Sequence, residues 1–194
     1  MPFNGTEITG IFLSYLLGSL CTGYYLIRVF AHTDVREQGS GGVGATNVGR
    51  LMGKKGFILT MLGDTLKAVI AVVVARYLGF SALALSLVVI AVIAGHLWPV
   101  TLGFRGGKGV ATSLGAFLIY DYTFLALLLI ITALSMAVLR RLTLSGLIGY
   151  ALLPIIVIAL GYPLTAIYTS SLGSLLVLYA HRDNIKQAFG YSSS

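Results

Sequence analysis

The 194-residue chain is too apolar to fold as a soluble domain. Hydrophobic residues make up 57% of it, charged residues only 10%, and its mean hydropathy is +0.94, whereas about 25% of a soluble domain is charged. The formal charge of +7 comes from 13 Lys and Arg against 6 Asp and Glu. Because these basic residues are scattered over short loops, nucleic-acid binding, which needs a basic patch, is not expected. We predict one membrane-embedded domain, residues 1–194.

Seven apolar segments follow one another along the chain. A helix needs roughly 20 apolar residues to cross the hydrocarbon core of a bilayer. The first segment is too long for a cleaved signal peptide and predicts a retained helix, while the fourth has about half the required length. The pattern predicts an all-α, polytopic membrane protein of about seven transmembrane helices. The segments are residues 8–30, 57–77, 80–98, 110–120, 124–139, 144–160 and 164–180.

The positions of the basic residues predict the orientation of these spans, because cytoplasmic loops collect Lys and Arg. If the short fourth segment crosses, ten of the thirteen basic residues lie on one side, with the N-terminus outside and the C-terminus cytoplasmic. If it re-enters instead, Arg140 and Arg141 move outside and the bias weakens. Seven spans are therefore favoured. The ten residues are Arg36, Arg50, Lys54, Lys55, Arg105, Lys108, Arg140, Arg141, Arg182 and Lys186.

A glycine-rich loop, residues 36–50, follows the first span on the predicted cytoplasmic side. Its glycines allow backbone N–H groups to line an anion-binding concavity, and Arg36 and Arg50 add positive charge at its ends. A merely flexible loop is the alternative. A Gly-x-Gly-x-x-Gly pattern starting at Gly39 matches the dinucleotide fingerprint, but that motif requires a preceding strand, and a membrane helix precedes it here. We expect the loop to bind phosphate.

The second polar segment is a Gly-Gly-Lys-Gly turn that ends at Gly109, directly before the fourth apolar segment. It is not a nucleotide-binding P-loop, because Leu102 occupies the position of the first glycine and Gly109 follows the lysine. The physics is related nonetheless. N–H groups at a helix start carry about half a positive charge and attract phosphate, while Lys108 adds a mobile ammonium. A helix-entry turn with interfacial basic residues is the alternative.

Histidines and intramembrane charges complete the pattern. His96 lies near the cytoplasmic end of the third span, where a structural role is the alternative to catalysis. His181 and Asn184 follow the last span three residues apart and share a helix face, so both are able to face one ligand. Asp64 and Lys67 are also three apart, inside the second span, where a bare charge costs several kcal/mol. We expect these two to form a buried pair.

Together the three segments resemble the acyl-phosphate-dependent glycerol-3-phosphate acyltransferases of bacteria, the PlsY family. The resemblance covers most of the chain and rests on three signatures in order. One position departs from the family, since Gly42 stands where the family usually has Asn. The signatures are Gly39-Ser-Gly-Gly-Val-Gly-Ala-Thr-Asn47 with Arg50, Gly95-His-Leu-Trp-Pro99 with Gly106-Gly-Lys-Gly-Val-Ala-Thr112, and His181-Arg-Asp-Asn-Ile185.

The resemblance implies transfer of a fatty acyl group from acyl phosphate to the 1-hydroxyl of glycerol 3-phosphate, at the cytoplasmic face of the bacterial inner membrane. Lysophosphatidate and phosphate would be the products. No obligate protein partner is evident, and we expect neither a metal nor another cofactor, since few acidic residues lie on the predicted cytoplasmic side. The candidate catalytic residues are Lys108, His96, His181, Asn184 and Arg50. The candidate phosphate-binding residues are Ser40, Gly41, Gly42, Gly44, Thr46, Asn47, Arg105, Gly107, Thr112 and Ser145.

We expect direct attack on the mixed anhydride. No histidine is followed five residues later by aspartate, the pair on which the larger class of glycerolipid acyltransferases depends, and no Ser or Cys nucleophile has an adjacent base. Lys108, the loop of residues 39–47 and Arg50 would hold the phosphates and stabilise the developing oxyanion charge. The proton would go to His96, to His181 or to the departing phosphate. The alternatives are a small-anion transporter, for which the expected inverted repeats are not seen, and a non-catalytic assembly subunit.

Overall fold

A computed structural model describes residues 3–188, and every regular element in that range is helical. Two 3-10 turns, Val35–Glu37 and Val100–Leu102, lie in the loops after the second and fourth α-helices. The all-helical architecture confirms the prediction from the apolar segments. The α-helices are α1 Gly5–Gly18, α2 Thr22–Phe30, α3 Ala45–Tyr77, α4 Ala82–Leu97, α5 Val110–Tyr120, α6 Tyr122–Leu139, α7 Leu142–Ala159, α8 Leu164–Ala180 and α9 Arg182–Ala188.

The longer helices have the length and composition of membrane spans. Within the described residues, α3, α6 and α7 qualify, as do α4 taken together with the 3-10 turn that follows it and α1 with α2 as one bent span. Helices α5 and α8 are apolar but shorter. On α3, Leu62, Leu66 and Ile70 are more than half exposed. Extended apolar surface of this kind marks contact with lipid rather than water. The chain is therefore a multi-pass integral membrane protein.

The first span is not the continuous helix that the sequence predicts. It breaks between Gly18 and Thr22, and the two halves meet at an angle of 40°. A helix break inside a membrane is tolerated only where other groups satisfy the freed backbone. Here Lys67 Nζ donates to the carbonyl oxygens of Gly18 at 2.8 Å and Leu20 at 2.9 Å. The prediction fails because the groups that stabilise the break lie on another helix.

The second span also begins differently from its prediction, because part of the glycine-rich loop is helical. Helix α3 begins at Ala45, and its first two turns are separated from the membrane-spanning part by a break at Gly53. The backbone there has φ 67° and ψ −161°, a region that is essentially restricted to glycine. The short segment before the break carries Arg50, so this break sets the position of that side chain relative to the bundle.

Glycines allow the central helices to pack closely. A Cβ atom on Gly95 of α4 would lie 2.1 Å from the carbonyl oxygen of Tyr15 on α1, and one on Gly115 of α5 would lie 2.3 Å from that of Thr65 on α3. Small residues at helix contacts are the usual means of close approach in membranes, where no hydrophobic force drives helices together. The short helix α5 is therefore held deep between its neighbours, and its first residues face the same end of the bundle as the loop before α3.

Candidate active site

An arginine fixes the glycine-rich loop to the turn after α4. Arg36 Nη1 donates to the carbonyl oxygen of Leu102 at 2.8 Å, and its other nitrogens bind the Asp34 carboxylate, with Nη2 2.6 Å from Oδ2. These hydrogen bonds lower the pKa of Asp34 and raise that of Arg36. The two predicted phosphate-binding segments are thus joined at one end of the bundle.

The side chain of Asn47 organises the glycine-rich loop from within. It is 2% exposed, and its Oδ1 accepts a hydrogen bond from the backbone N–H of Ser40 at 2.9 Å. Its Nδ2 donates to the carbonyl oxygens of Gln38 at 2.9 Å and Gly42 at 3.0 Å. A primary amide has two N–H donors, and both are used. The oxygens of a phosphate would need an N–H donor from Asn47, and the loop leaves this side chain none to offer.

The other polar residues of the loop are open at the surface. Ser40, Gly41, Thr46 and Arg50 are exposed, and Gly42 and Gly44 are partly exposed. Gly44 is the N-cap of α3, and the first N–H groups of a helix have no intrahelical acceptor. Accessible N–H groups, two hydroxyls and a guanidinium therefore lie together where an anion can approach them.

The Gly-Gly-Lys-Gly turn is bound to the end of α4 through its backbone. The N–H of Gly106 donates to the carbonyl oxygen of Leu97 at 3.1 Å, and that of Gly107 to the carbonyl oxygen of His96 at 3.0 Å. A Cβ atom on Gly106 would lie 2.1 Å from the latter oxygen, so only glycine allows this approach. Gly109 then takes φ 78° as the N-cap of α5. The turn holds Lys108 at the start of that helix.

Lys108 meets the residues that follow α8. Its Nζ donates to Asn184 Oδ1, which unites the second and third predicted segments. Burial lowers the pKa of Lys108, the negative charge of Asp183 opposes that shift, and the positive charge of Arg50 adds to it. Arg50, from the first segment, therefore lies near enough to influence the charge of Lys108. The second and third segments are in direct contact through Lys108 and Asn184.

His181 is the C-cap of α8 and is buried. Its Nδ1 lies 2.8 Å from the carbonyl oxygen of Val177. A carbonyl only accepts hydrogen bonds, so Nδ1 carries a proton, and in the neutral ring Nε2 keeps its lone pair. Burial is the main cause that lowers the pKa of His181, with the positive charge of Lys108 adding to it and the Val177 carbonyl opposing it. His181 is therefore a neutral hydrogen-bond acceptor at pH 7.

His96 has a different environment from the one that sequence reasoning considered. Its Nδ1 lies 2.9 Å from Lys67 Nζ, and Lys67 Nζ lies 3.0 Å from Asp64 Oδ1. The predicted buried pair of Asp64 and Lys67 is confirmed. Sequence reasoning missed that His96 joins it, although ionisable residues in two neighbouring spans are themselves a signal of internal pairing.

Three predicted phosphate-binding residues remain to be placed, namely Thr112, Ser145 and Arg105. Thr112 is fully buried in the first turn of α5, and its hydroxyl has no hydrogen-bond partner within residues 3–188. Ser145, on α7, donates its hydroxyl to the carbonyl oxygen of Arg141 at 3.0 Å. Arg105 is exposed beside the Gly-Gly-Lys-Gly turn. In the described part of the chain, no three His, Cys, Asp or Glu side chains converge as the ligands of a metal ion would.

The fold and the site define a membrane-embedded protein with a basic, glycine-rich site for anionic ligands at one end of its helical bundle. The family model for glycerol-3-phosphate acyltransferase matches residues 8–190. The chain belongs to this family, and it is accordingly an acyltransferase. The resemblance stated from the three signatures is confirmed.

Individual relatives agree with the family assignment. The chain is 42% identical over 180 residues to glycerol-3-phosphate acyltransferase 1 of Desulfitobacterium hafniense, with 93% of this chain and 89% of that protein covered. It is 41% identical over 184 residues to the enzyme of Clostridioides difficile, with coverages of 90% and 88%. A crystal structure of PlsY (YgiH), an integral membrane glycerol 3-phosphate acyltransferase in its glycerol 3-phosphate form, superposes with a TM-score of 0.87 at 30% identity, covering 97% and 95% of the two chains. Its lysophosphatidic acid form gives a TM-score of 0.85.

Proposed function

We propose that this chain transfers a fatty acyl group from acyl phosphate to the 1-hydroxyl of glycerol 3-phosphate, at the cytoplasmic face of the bacterial inner membrane. The observation that carries the proposal is the meeting of Lys108 with Asn184, within the electrostatic reach of Arg50. These residues come from three separate segments, and the first two of these segments carry the predicted phosphate-binding groups. A reaction with two phosphorylated substrates and a phosphate product requires such a site.

The proposed topology has seven spans, with the N-terminus outside and the C-terminus in the cytoplasm. It counts α1 with α2 as one bent span and has the two shorter apolar helices, α5 and α8, cross as well. Ten of the thirteen basic residues then share the site face, in accord with the positive-inside rule. Sulfonated maleimide on intact spheroplasts should label a cysteine introduced as Asn4→Cys and not one introduced as Gln187→Cys, both in a Cys21→Ala background. The reverse labelling would contradict this orientation.

Lys108 is the proposed centre of phosphate binding. An ammonium has three N–H donors, of which Asn184 takes one and two remain for the substrates. Arg50, the hydroxyls of Ser40 and Thr46 and the N–H groups at the start of α3 would bind the second phosphate.

The proposed chemistry is a direct acyl transfer. The oxygen at carbon 1 of glycerol 3-phosphate attacks the carbonyl carbon of acyl phosphate, an ester bond forms, and the bond from that carbon to the phosphate oxygen breaks. Phosphate leaves with the electron pair. Lys108 would stabilise the charge that develops during this step, which is usually the largest catalytic contribution. Holding both substrates in contact supplies much of the rest.

The hydrogen bonds of the two histidines narrow the choice of proton acceptor. The Nδ1 lone pair of His96 is used by Lys67, and its Nε2 then carries the proton, so neither nitrogen is a free base. His181 keeps a lone pair on Nε2 and stays neutral at pH 7. We therefore retain His181 and the departing phosphate as acceptors and withdraw His96. Neither a cofactor nor an obligate protein partner is part of the proposal.

An assay with defined substrates tests the function. Purified protein in detergent, given radiolabelled glycerol 3-phosphate and palmitoyl phosphate, should form labelled lysophosphatidate and release an equal amount of phosphate. Palmitoyl-CoA, offered in place of palmitoyl phosphate, should give no product. Unchanged labelled substrate accumulating inside proteoliposomes would instead identify a transporter. Absence of both product and transport would leave only the assembly subunit.

A further inference from the structure

The polar cluster of Asp64, Lys67 and His96, here named the buried triad, lies inside the membrane part of the bundle. The three residues are 1%, 5% and 3% exposed. Lys67 Nζ is 3.0 Å from Asp64 Oδ1 and 2.9 Å from His96 Nδ1, whereas His96 Nδ1 is 3.7 Å from the same carboxylate oxygen. Lys67 is therefore the hub, and the triad extends from α3 to α4.

The triad also closes the break in the first span. Lys67 Nζ donates to the carbonyl oxygens of Gly18 and Leu20, at the end of α1. Asp64 Oδ1 accepts the backbone N–H of Thr22, the first residue of α2, at 3.2 Å. Helix ends carry partial charges, negative at the carbonyl end and positive at the N–H end. The cation and the anion of the pair thus each bind the helix end of opposite sign.

On its other side the triad contacts the Gly-Gly-Lys-Gly turn, the proposed phosphate-binding turn. Lysine only donates hydrogen bonds, so His96 Nδ1 accepts, and the neutral imidazole carries its proton on Nε2. That nitrogen lies against Gly107, because a Cβ atom on this glycine would be 2.2 Å from it. The N–H of Gly107 is in turn bound to the carbonyl oxygen of His96. The imidazole ring and the backbone carbonyl of His96 therefore both hold Gly107, which precedes Lys108.

We infer that the buried triad is a positioning device for the phosphate-binding turn, with Asp64 and Lys67 acting through His96. Lys67 holds the imidazole in one tautomer and one orientation, and the ring sets the position of Gly107 and hence of Lys108. The inference rests on the proposed function. It deepens that function by assigning the acyltransferase two positioning residues that touch neither substrate.

The arrangement is more specific than packing requires. Apolar residues of similar volume often replace a buried ion pair without loss of stability, whereas removal of one partner leaves an uncompensated charge. A pair whose only role is to fill space could therefore be neutralised with little effect. A positioning role predicts instead that neutralising the pair lowers the reaction rate, because displacement of a catalytic group by about 1 Å costs on the order of 100-fold in rate.

The experiment compares a charge-free double variant with a matched control. Asp64→Asn combined with Lys67→Met removes both charges together, and Leu66→Met alters the lipid-facing side of the same turn, where Leu66 is 53% exposed. We expect the double variant to have a lower Tm, because the carbonyl oxygens of Gly18 and Leu20 lose their donor. Assayed in its folded state below that Tm, it should show a fall in kcat/KM for glycerol 3-phosphate of about 10- to 100-fold. The control should keep both values. Wild-type kinetics in a folded double variant would overturn the inference.

A measurement on the wild type keeps the inference testable if the double variant fails to fold. The chain has three histidines, so the ¹⁵N signals that persist in both His32→Gln and His181→Gln belong to His96. Its Nδ1 should be unprotonated and its Nε2 protonated, and a proton found on Nδ1 would overturn the inference. A wild type that makes no lysophosphatidate would overturn the proposed function, whereas an active wild type with unaffected variants would overturn only the positioning role.

Discussion

The two polar regions of this protein differ in how completely their hydrogen bonds are satisfied. In the buried triad every residue is at most 5% exposed, and each binds the others or the backbone of the broken first span. In the site, Arg50, Thr46 and Lys108 are exposed, and Lys108 has donors left after it binds Asn184. The residues whose hydrogen bonds are satisfied within the protein therefore have a structural role, and those with free donors are the ones we propose for chemistry.

The two asparagines and the two histidines repeat this contrast. Asn47 uses both of its N–H donors inside its own loop, whereas Asn184 is partly exposed and binds a catalytic candidate. His96 is bound at Nδ1 by a cation, and His181 is bound at Nδ1 by a carbonyl. Because the partners differ, the free nitrogen is a donor in His96 and an acceptor in His181. Residue type alone does not reveal this difference.

The largest loss of activity is expected when the candidate active site loses the ammonium of Lys108. Lys108→Met should lower kcat/KM about 1,000-fold, because removal of one group that stabilises developing charge costs on the order of 100- to 1,000-fold. The Tm in detergent should change little, since the side chain is exposed. The assay is lysophosphatidate formation from palmitoyl phosphate. Full activity in this variant would remove Lys108 from the site.

The next effect distinguishes the two proton acceptors that remain. If the lone pair on His181 Nε2 accepts the proton, His181→Gln should lower kcat about 100-fold, as expected for loss of a general base. Steady-state kinetics with both substrates saturating gives the value. A variant that keeps its kcat and loses only affinity would assign the proton to the departing phosphate.

The pH dependence of the wild type also tests whether His181 accepts the proton. Burial and Lys108 lower the pKa of His181 below its ordinary value of 6.5. Protonation removes the lone pair, so kcat/KM should stay constant down to about pH 6.5 and fall as pH drops through the lowered pKa. This acid limb should be absent in His181→Gln. An acid limb that persists unchanged in the variant would belong to another group.

A smaller effect on activity is expected when Asn47, whose N–H donors are both used within its loop, is replaced. Asn47→Ala removes the hydrogen bonds that hold Ser40, Gln38 and Gly42 in place, at a cost of about 1–3 kcal/mol. The loop would loosen, so KM for glycerol 3-phosphate should rise about tenfold and Tm should fall. Thr46→Ala, at the exposed neighbouring position, should leave Tm unchanged. Equal Tm values in the two variants would contradict the organising role of Asn47.

The sequence predicts the parts of this protein that depend on local pattern. Hydropathy locates the spans, and α5 coincides with its predicted segment. The spacing of three residues predicts the pair of Asp64 and Lys67. Contacts between distant helices are not encoded in such patterns. The break after Gly18 depends on Lys67, and the tautomer of His96 depends on the same lysine, so both emerge only once α1, α3 and α4 are packed together.

The smallest effect concerns the charge balance around Lys108. The proposed role of Lys108 needs its ammonium form. Burial lowers the pKa of Lys108, the negative charge of Asp183 raises it, and the positive charge of Arg50 adds to the lowering. Asp183→Asn removes that support, so the pKa should fall further, and the alkaline limb of the kcat/KM profile should move to lower pH by a fraction of a unit. Asp183 is exposed, so solvent screening keeps the shift small. A kcat/KM profile that rises instead of falling as Lys108 loses its proton would contradict the proposed ammonium, since a group that acts as the neutral amine gains activity when its proton leaves.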